Sequence, residues 1–256
     1  NSPTKNIDFN INHAEVISGF PIEGNLVIAK TKPENKVLFN NQKIQIDDSG
    51  IFIFGFHRDE ESSSKLVIIN SENDQFETII QPIKREYKIQ RIDGLPEKKV
   101  TPPEEFYIRI KKENKLIANA RKINSDLPFF KDNFILPLND AVITGVYGSQ
   151  RILNGIPKWP HYGLDFAQKK GTPVKAMNSG IVTLSEDDLY YTGGTIIFDH
   201  GHGVSTLYMH MDKIFVKVGE HVKKGDIVGT VGATGRATGP HLDIRLNWFG
   251  KRLDPM

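Results

Sequence analysis

The density of glycine after residue 131 is the feature that most constrains the fold. Glycines recur there every few positions, between short runs of valine and isoleucine. Tight turns often need the left-handed backbone that glycine adopts without steric cost, so this spacing predicts many short strands joined by tight turns. The segment VGEHVKKGDIVGTVG, residues 218–232, shows the pattern. We therefore predict a β-rich domain over residues 131–256.

The residues before this domain predict a second β-structure and a linker. The segments VLFNNQKIQIDDSGIFIFGF, KLVIIN and FETIIQPI are short apolar runs bounded by polar residues, which favours a small β-sandwich over residues 1–95. Residues 96–130 form the predicted linker. Within it, Thr101 is a plausible N-cap before two prolines, and apolar residues follow at helical spacing. The pattern predicts one helix over about 102–124.

Composition narrows the classes of function. The chain has 256 residues, enough for two domains, and a net charge of +2 that gives no reason to expect nucleic acid as a partner. It has no cysteine, which excludes thiolate zinc sites, disulfides and cysteine nucleophiles. No apolar run is long enough for a transmembrane segment. Because the chain begins at Asn1, we expect that a signal peptide has been removed and that the protein is periplasmic or otherwise extracytoplasmic.

Histidine is concentrated in the second half, where six of the eight histidines follow residue 160. A hydrolytic zinc site needs three His, Asp or Glu ligands and a position for water, and a nearby imidazole can move a proton near neutral pH. HYGLD offers His161 and Asp165, and STLYMHM offers His210. TGPHLDIR offers His241 and Asp243, which point to the same face if this segment is a strand.

These motifs, in this order, resemble the lysostaphin-type zinc endopeptidases, which contain a LytM domain. The resemblance covers about residues 137–255. It rests on four segments: GSQR, HYGLDFAQKKGTPVKAMNSGIV, GGTIIFDHGHGVSTLYMHM and VGEHVKKGDIVGTVGATGRATGPHLD. It implies a β-rich scaffold with a groove over an antiparallel sheet. It also implies hydrolysis of peptide bonds in bacterial peptidoglycan with one zinc ion, so the stem peptides of the wall are the expected partner.

Carried over by motif, the resemblance makes His161 and Asp165 zinc ligands. It makes His210 a catalytic group close to the attacking water, and His241 a group that orients this water and stabilises the oxyanion. The third zinc ligand of the family is the second histidine of a His-x-His motif, and Asp243 stands there instead. His200 matches a position that is often histidine but binds no metal in the family, so we interpret it as structural.

Three interpretations of Asp243 remain open. It is the third zinc ligand, since carboxylate oxygen is an acceptable zinc donor. Alternatively, it lies beside an incomplete site. In the third interpretation, Arg245 neutralises Asp243, and the protein is a catalytically inactive module that binds peptidoglycan or activates a separate wall amidase. We favour the first because the other four functional positions are intact, whereas a β-protein with incidental histidines would not show the motifs in order.

The residues before the predicted peptidase domain carry a second resemblance. GIFIFGFHRD, REYKIQRIDGLP and the helix ending in ANARKI resemble an immunoglobulin-like domain and linker that precede such catalytic units. This implies a role in positioning or autoinhibition. A wall hydrolase or a regulator is a further expected partner, in line with the interpretation as an inactive module that activates a separate amidase.

Overall fold

A computed structural model describes residues 9–92 and 104–256. The chain divides into two compact units. The first runs to Glu86 and includes Lys251–Leu253, and the second comprises Tyr87–Gly250 and Asp254–Met256. Both are built of β-strands, and one α-helix occurs among the described residues. The predicted mainly β class is confirmed, while the border predicted at residue 95 lies outside the described residues.

The first unit contains two antiparallel sheets, of strand order β1-β2-β5 and β4-β3-β6-β7. The ring of Phe39 in the second sheet stacks on that of Phe54 in the first, with centroids 5.2 Å apart, so the sheets pack face to face. The immunoglobulin-like classification of this sandwich stays a prediction. The strands are β1 (Glu15–Ser18), β2 (Leu26–Lys30), β3 (Lys36–Phe39), β4 (Gln42–Ile44), β5 (Ile51–Gly55), β6 (Ser64–Ile69), β7 (Gln75–Ile80) and, late in the chain, β20 (Lys251–Leu253).

The second unit is organised around one large antiparallel sheet of order β17-β14-β15-β16-β19-β12-β9, which β13 and β18 extend. Strands β8, β10 and β11 form a separate small sheet. The strands are β8 (Ile89–Ile92), β9 (Val142–Gly145), β10 (Gln150–Leu153), β11 (Ile156–Pro157), β12 (Leu164–Ala167), β13 (Pro173–Lys175), β14 (Gly180–Leu189), β15 (Gly193–Gly201), β16 (Val204–Ile214), β17 (His221–Val222), β18 (Ile227–Val231) and β19 (His241–Trp248).

The large sheet buries one face in a continuous apolar core. All nine residues of β15 are buried, as expected for a strand near the centre of a sheet. Leu164, Phe166, Leu242 and Ile244 lie in this core and fix β12 and β19 against it. Because side chains alternate along a strand, the residues between them are directed to the opposite face.

The helix is shorter than predicted. A 3-10 turn, Glu104–Phe106, precedes α1, Tyr107–Ala120. The predicted cap at Thr101 lies outside the described residues. The predicted end near residue 124 is wrong, because the amide of Lys122 already bonds to the carbonyl of Asn119, the tightened spacing of a helix end. None of the described helical segments is both long and apolar enough to span a membrane.

Helix α1 also buries a carboxylate, which the sequence pattern did not predict. Glu113 is only 9% exposed, and it accepts hydrogen bonds from Arg109 Nε at 2.6 Å and from the amide of Tyr190 at 2.8 Å. Beside it, Ala120 and Ile117 pack against apolar side chains of β14, β15 and β16. The helix is therefore held to the second unit by both apolar and polar contacts.

Candidate metal centre

Two neighbouring strands bring two aspartates together. Strands β12 and β19 are antiparallel, and their register places Asp165 directly opposite Asp243. Side chains of directly opposite residues emerge on the same face of a sheet. His161 lies shortly before β12, and its Nε2 is 3.1 Å from Asp165 Oδ1 and 3.5 Å from Asp243 Oδ2. The possible ligand atoms of the three side chains all lie within 4.8 Å of one another.

The residues HLDIR of the segment TGPHLDIR begin strand β19, which meets the condition for a shared face. Its apolar residues, Leu242 and Ile244, are fully buried in the core. His241, Asp243 and Arg245 alternate with them and therefore share the other face. The sequence thus positions the candidate site by burying the residues on either side of Asp243.

Two glycines allow the carboxylates to come this close to the backbone. A Cβ at Gly145 would lie 2.2 Å from Asp165 Oδ2. A Cβ at Gly163 would lie 2.5 Å from Asp243 Oδ1 and 2.4 Å from the carbonyl oxygen of Ile244. No larger residue fits at either position without displacing a ligand or a strand.

The three side chains fit a divalent metal such as zinc. The Nδ1 of His161 faces the carbonyl of Val146 at 3.4 Å, which places its proton on Nδ1 and leaves Nε2 as the ligand atom. His161 Nε2 and Asp165 Oδ1 are both buried. Although they lie 3.1 Å apart, neither forms a hydrogen bond with a described residue, because with the proton on Nδ1 both atoms present lone pairs. Buried polar atoms normally have a partner, so these two indicate a missing one. One imidazole and two carboxylates form a chemically suitable donor set for zinc.

The electrostatics of the cluster also favour a cation. Burial lowers the pKa of His161, but the carboxylates of Asp165 and Asp243 outweigh this effect and raise the pKa to about 10. Histidine binds metal only as the neutral imidazole, so a proton and a metal ion compete for this position. Burial raises the pKa of Asp243, but Arg245 and His161 hold it well below its usual range.

Arg245 forms the ion pair with Asp243 that the sequence raised as a possibility. Its Nη2 donates to Asp243 Oδ2 at 3.0 Å and its Nε donates to Oδ1 at 3.3 Å. The same Asp243 Oδ2 faces His161. A carboxylate has about four lone-pair positions. Pairing with Arg245 therefore leaves Asp243 able to bind a metal. The ion pair of the third interpretation is thus compatible with the metal ligand of the first.

The two histidines predicted to be catalytic lie beside this cluster. The rings of His210 and His241 have centroids 4.7 Å apart, and His241 Nε2 is 4.0 Å from Asp165 Oδ1. His210 has a φ of 64°, a left-handed backbone that is uncommon outside glycine and that recurs at functional sites. Burial lowers the pKa of His210. The ring of His210 is therefore neutral near pH 7 and able to accept a proton.

Backbone carbonyls, which the sequence analysis missed, orient both rings. His210 Nδ1 donates to the carbonyl of Thr234 at 2.9 Å, and His241 Nδ1 donates to the carbonyl of Gly239 at 2.8 Å. Every residue has a carbonyl, so residue type gives no signal for this role. The available signal is the glycine-rich GATGRATG between β18 and β19, whose turns bring the backbone close to the rings.

His200 lies apart from the cluster, in keeping with its structural interpretation. It is fully buried, its Nδ1 donates to the carbonyl of Ser179 at 2.7 Å, and its Nε2 is 2.8 Å from Thr206 Oγ1. Burial lowers its pKa to about 4, so the ring is neutral near pH 7.

Known proteins resemble the region that contains this site. Residues 159–255 match the family model for Peptidase family M23. The chain is 40% identical over 97 residues to the peptidoglycan DD-endopeptidase ShyA of Vibrio cholerae, an alignment that covers 38% of this chain and 22% of ShyA. It is 45% identical over 107 residues to lysostaphin of Staphylococcus simulans, covering 40% of this chain and 22% of lysostaphin.

A solved structure resembles nearly the whole chain. It is described as a peptidase M23 from Pseudomonas aeruginosa, and it is 26% identical in sequence with a TM-score of 0.72. The likeness covers 93% of this chain and 94% of that one. By contrast, the chain spans only about a fifth of the length of ShyA and lysostaphin. These similarities confirm the resemblance first seen in the sequence motifs.

Proposed function

Because the chain belongs to peptidase family M23, we propose that it is a zinc-dependent endopeptidase that hydrolyses peptide crosslinks of bacterial peptidoglycan. The observation that carries the proposal is the convergence of His161, Asp165 and Asp243 within 4.8 Å. The name of ShyA, a peptidoglycan DD-endopeptidase, supports the substrate class. Stem peptides of the wall are accordingly the proposed partner, and an extracytoplasmic location follows from that substrate.

The side chains of the site have different roles in the proposed peptide hydrolysis. His161, Asp165 and Asp243 hold one zinc ion, which when bound supplies Lewis-acid polarisation of the peptide carbonyl and acidification of water. His210 is neutral, with its Nδ1 proton held by a carbonyl, so its Nε2 accepts a proton from the attacking water. His241, once protonated at Nε2, donates a hydrogen bond to the developing oxyanion.

Arg245 supports the proposal through the charge of the site. A ligand set with two histidines and one aspartate carries one negative charge, whereas His161, Asp165 and Asp243 carry two. The guanidinium of Arg245, 3.0 Å from Asp243 Oδ2, offsets the additional charge. The overall charge of the site then matches that of the two-histidine set, which preserves the electrophilic character of a bound metal.

The alternative function is a catalytically inactive module that binds peptidoglycan or activates a separate wall amidase. The ion pair between Asp243 and Arg245 favours it, because a paired carboxylate is already electrostatically satisfied. The two functions differ in the consequence of adding zinc. Zinc creates hydrolytic activity in the first and none in the second.

Digestion of purified sacculi tests the proposal. The protein is loaded with one equivalent of zinc, and the released muropeptides are separated and identified by mass spectrometry. We expect crosslinked dimers to decrease and their monomers to appear. In the variant Asp165→Asn, which removes the charge of one candidate ligand, we expect the amount of dimers to stay constant. His221→Ala, at an exposed position on β17, is the control that keeps activity. A zinc-loaded protein that binds sacculi and leaves every crosslink intact would establish the alternative.

A further inference from the structure

One short segment contacts both of the histidines assigned to catalysis, His210 and His241. This segment, Gly232–Gly239, joins β18 to β19. The carbonyl of Thr234 accepts from His210 Nδ1 at 2.9 Å and that of Gly239 accepts from His241 Nδ1 at 2.8 Å. A carbonyl only accepts, so each Nδ1 carries a proton and each neutral ring has its lone pair on Nε2. The position of the segment therefore selects the tautomer of both rings.

The hydroxyl of Thr234 anchors this segment at the point where it meets His210. Thr234 Oγ1 donates to the carbonyl of Met211 at 2.8 Å and accepts from the amide of Gly194 at 2.9 Å. Met211 directly follows His210 in β16, and Gly194 lies at the start of β15. One side chain thus ties the segment to two strands of the large sheet.

The backbone is built to bring Thr234 into this position. Gly193 has a φ of 59°, and a Cβ there would lie 2.2 Å from Thr234 Oγ1. A Cβ at Gly235 would lie 2.4 Å from the amide nitrogen of Gly193. The segment therefore packs directly on the backbone at the start of β15, with no side chain between them.

His210 needs this support because its own backbone is strained. A left-handed φ of 64° persists in a non-glycine residue only when the surroundings hold it. The amide of His210 donates to the carbonyl of Thr192 at 2.8 Å, and its ring donates to the carbonyl of Thr234. Together with the hydroxyl of Thr234, these bonds close a small network around the residue.

We propose that Thr234 is a positioning residue: its hydroxyl fixes the segment so that its carbonyl holds His210 in the tautomer with Nε2 free to accept a proton. Loss of the hydroxyl leaves the segment free to shift, and the His210 ring then samples other tautomers and orientations. Within the part of the chain that the structure describes, Thr234 forms no hydrogen bond with any of the three candidate zinc ligands. The inference rests on the proposed role of His210 as proton acceptor.

Steady-state kinetics on zinc-loaded protein with a soluble crosslinked muropeptide tests the inference. We expect Thr234→Val, which keeps the shape and removes the hydroxyl, to lower kcat about 10-fold or more, since comparable supporting contacts are worth 10–100-fold. KM and zinc content stay near those of the parent, and Thr234→Ser keeps most of kcat. Thr230→Val is the matched control, because the hydroxyl of Thr230 has no partner among the described residues.

Nuclear magnetic resonance of the histidine side chains gives a readout independent of turnover. In protein labelled with ¹⁵N at histidine, we expect His210 to show a protonated Nδ1 in the parent and in Thr234→Ser, and a mixture of tautomers in Thr234→Val. Thr234→Ala replaces the valine variant if that one does not fold. An unchanged tautomer together with unchanged kcat overturns the inference. A parent that cleaves no crosslink refutes the proposed function, while the spectra still decide the role of Thr234.

Discussion

At the scale of single residues, Asp243 is the position where this chain departs from the His-x-His pattern. It is 4% exposed, and it faces both His161 and Arg245. A buried carboxylate without a counter-charge is costly, so Arg245 stabilises Asp243 whether or not a metal is bound. Asp243 can contact Arg245 and a metal ion at the same time, because a carboxylate has several lone pairs.

Substitution of Asp243 tests whether this residue binds zinc. We expect Asp243→Ala to weaken zinc binding by more than about 100-fold, because even changes outside the ligand shell cost 10–100-fold. Asp243→His restores the two-histidine set and retains about one zinc per chain. Elemental analysis after dialysis, with chelator competition for the affinities, measures both. Equal zinc content in the parent and in Asp243→Ala would remove Asp243 from the ligand set.

Substitution of His210 tests its role as proton acceptor. General base catalysis is worth roughly 10²–10⁴ in rate, so we expect His210→Ala to lower kcat by that factor. Zinc content should not change, because His210 is outside the group of possible ligand atoms. Muropeptide release over time gives the rate, and His221→Ala serves as the exposed control. Full cleavage by His210→Ala would disprove the assignment.

Sequence predicted the side chains of the site better than it predicted their supports. The resemblance carried by HYGLD, STLYMHM and TGPHLDIR supplied these candidates, whereas spacing alone is weak evidence and left the role of Asp243 open. The left-handed backbone of His210 and the carbonyls of Thr234 and Gly239 depend on how distant segments meet. No local pattern carries that information.

At the scale of elements, the approach of β12 to β19 depends on a glycine. A Cβ at Gly163 would collide with the backbone carbonyl of Ile244 as well as with Asp243 Oδ1, and a backbone atom cannot move aside alone. The strands would have to separate locally. This separation would move Asp165 away from Asp243, although neither residue is itself changed.

We therefore expect Gly163→Ala to weaken zinc binding about 10-fold or more, the magnitude typical of changes that disturb ligand support. Chelator competition measures the affinity. Gly250→Ala is the control, because a Cβ at Gly250 would meet nothing within 4 Å. An unaltered affinity in Gly163→Ala would show that the strands tolerate the added methyl group.

Elements were predicted with uneven success, for physical reasons. The strands around Ile51–Gly55 and Ser64–Ile69 match their apolar runs, since burial of one face fixes a strand strongly. The helix end was predicted four residues late because helix propensity continues past Ala120. The burial of Glu113 was not predicted, because its partners, Arg109 and the amide of Tyr190, become adjacent only in the folded protein.

At the scale of the whole molecule, zinc should stabilise the folded chain. A ligand that binds only the native state adds about 2.7 kcal/mol at 100 times its Kd. For a chain of this size that corresponds to a rise in Tm of about 5 °C or more. Differential scanning calorimetry with zinc and with magnesium measures the effect. Asp165→Asn should lose most of the rise, and an equal rise in that variant would contradict the proposed site.

Stability should also fall on acidification through His200. Its pKa is about 4 in the folded state against 6.5 for an ordinary histidine. Between these values the unfolded chain binds a proton that the folded chain does not, so unfolding becomes easier as pH falls from 6.5 to 4. The effect amounts to about 3 kcal/mol at most.

Urea unfolding at pH 7.5 and pH 5, in the presence of a chelator, measures this dependence. The loss of stability between the two pH values should be smaller in His200→Gln than in the parent, whatever the absolute stability of the variant. The comparison cancels contributions from other titrating groups, including His161. An identical loss in both proteins would show that His200 titrates normally.

The register that places Asp165 opposite Asp243 has a consequence for biosynthesis. Asp165, the second candidate ligand, lies on β12, and Asp243, the third, enters the chain only with β19, after β13 to β18 have been made. Under the proposed function, a nascent chain that ends before β19 carries two ligands and no site. The capacity to cut the wall therefore arises in one late step, when β19 pairs with β12. Under the same proposal, we expect chains that end before β19 to cleave no crosslink.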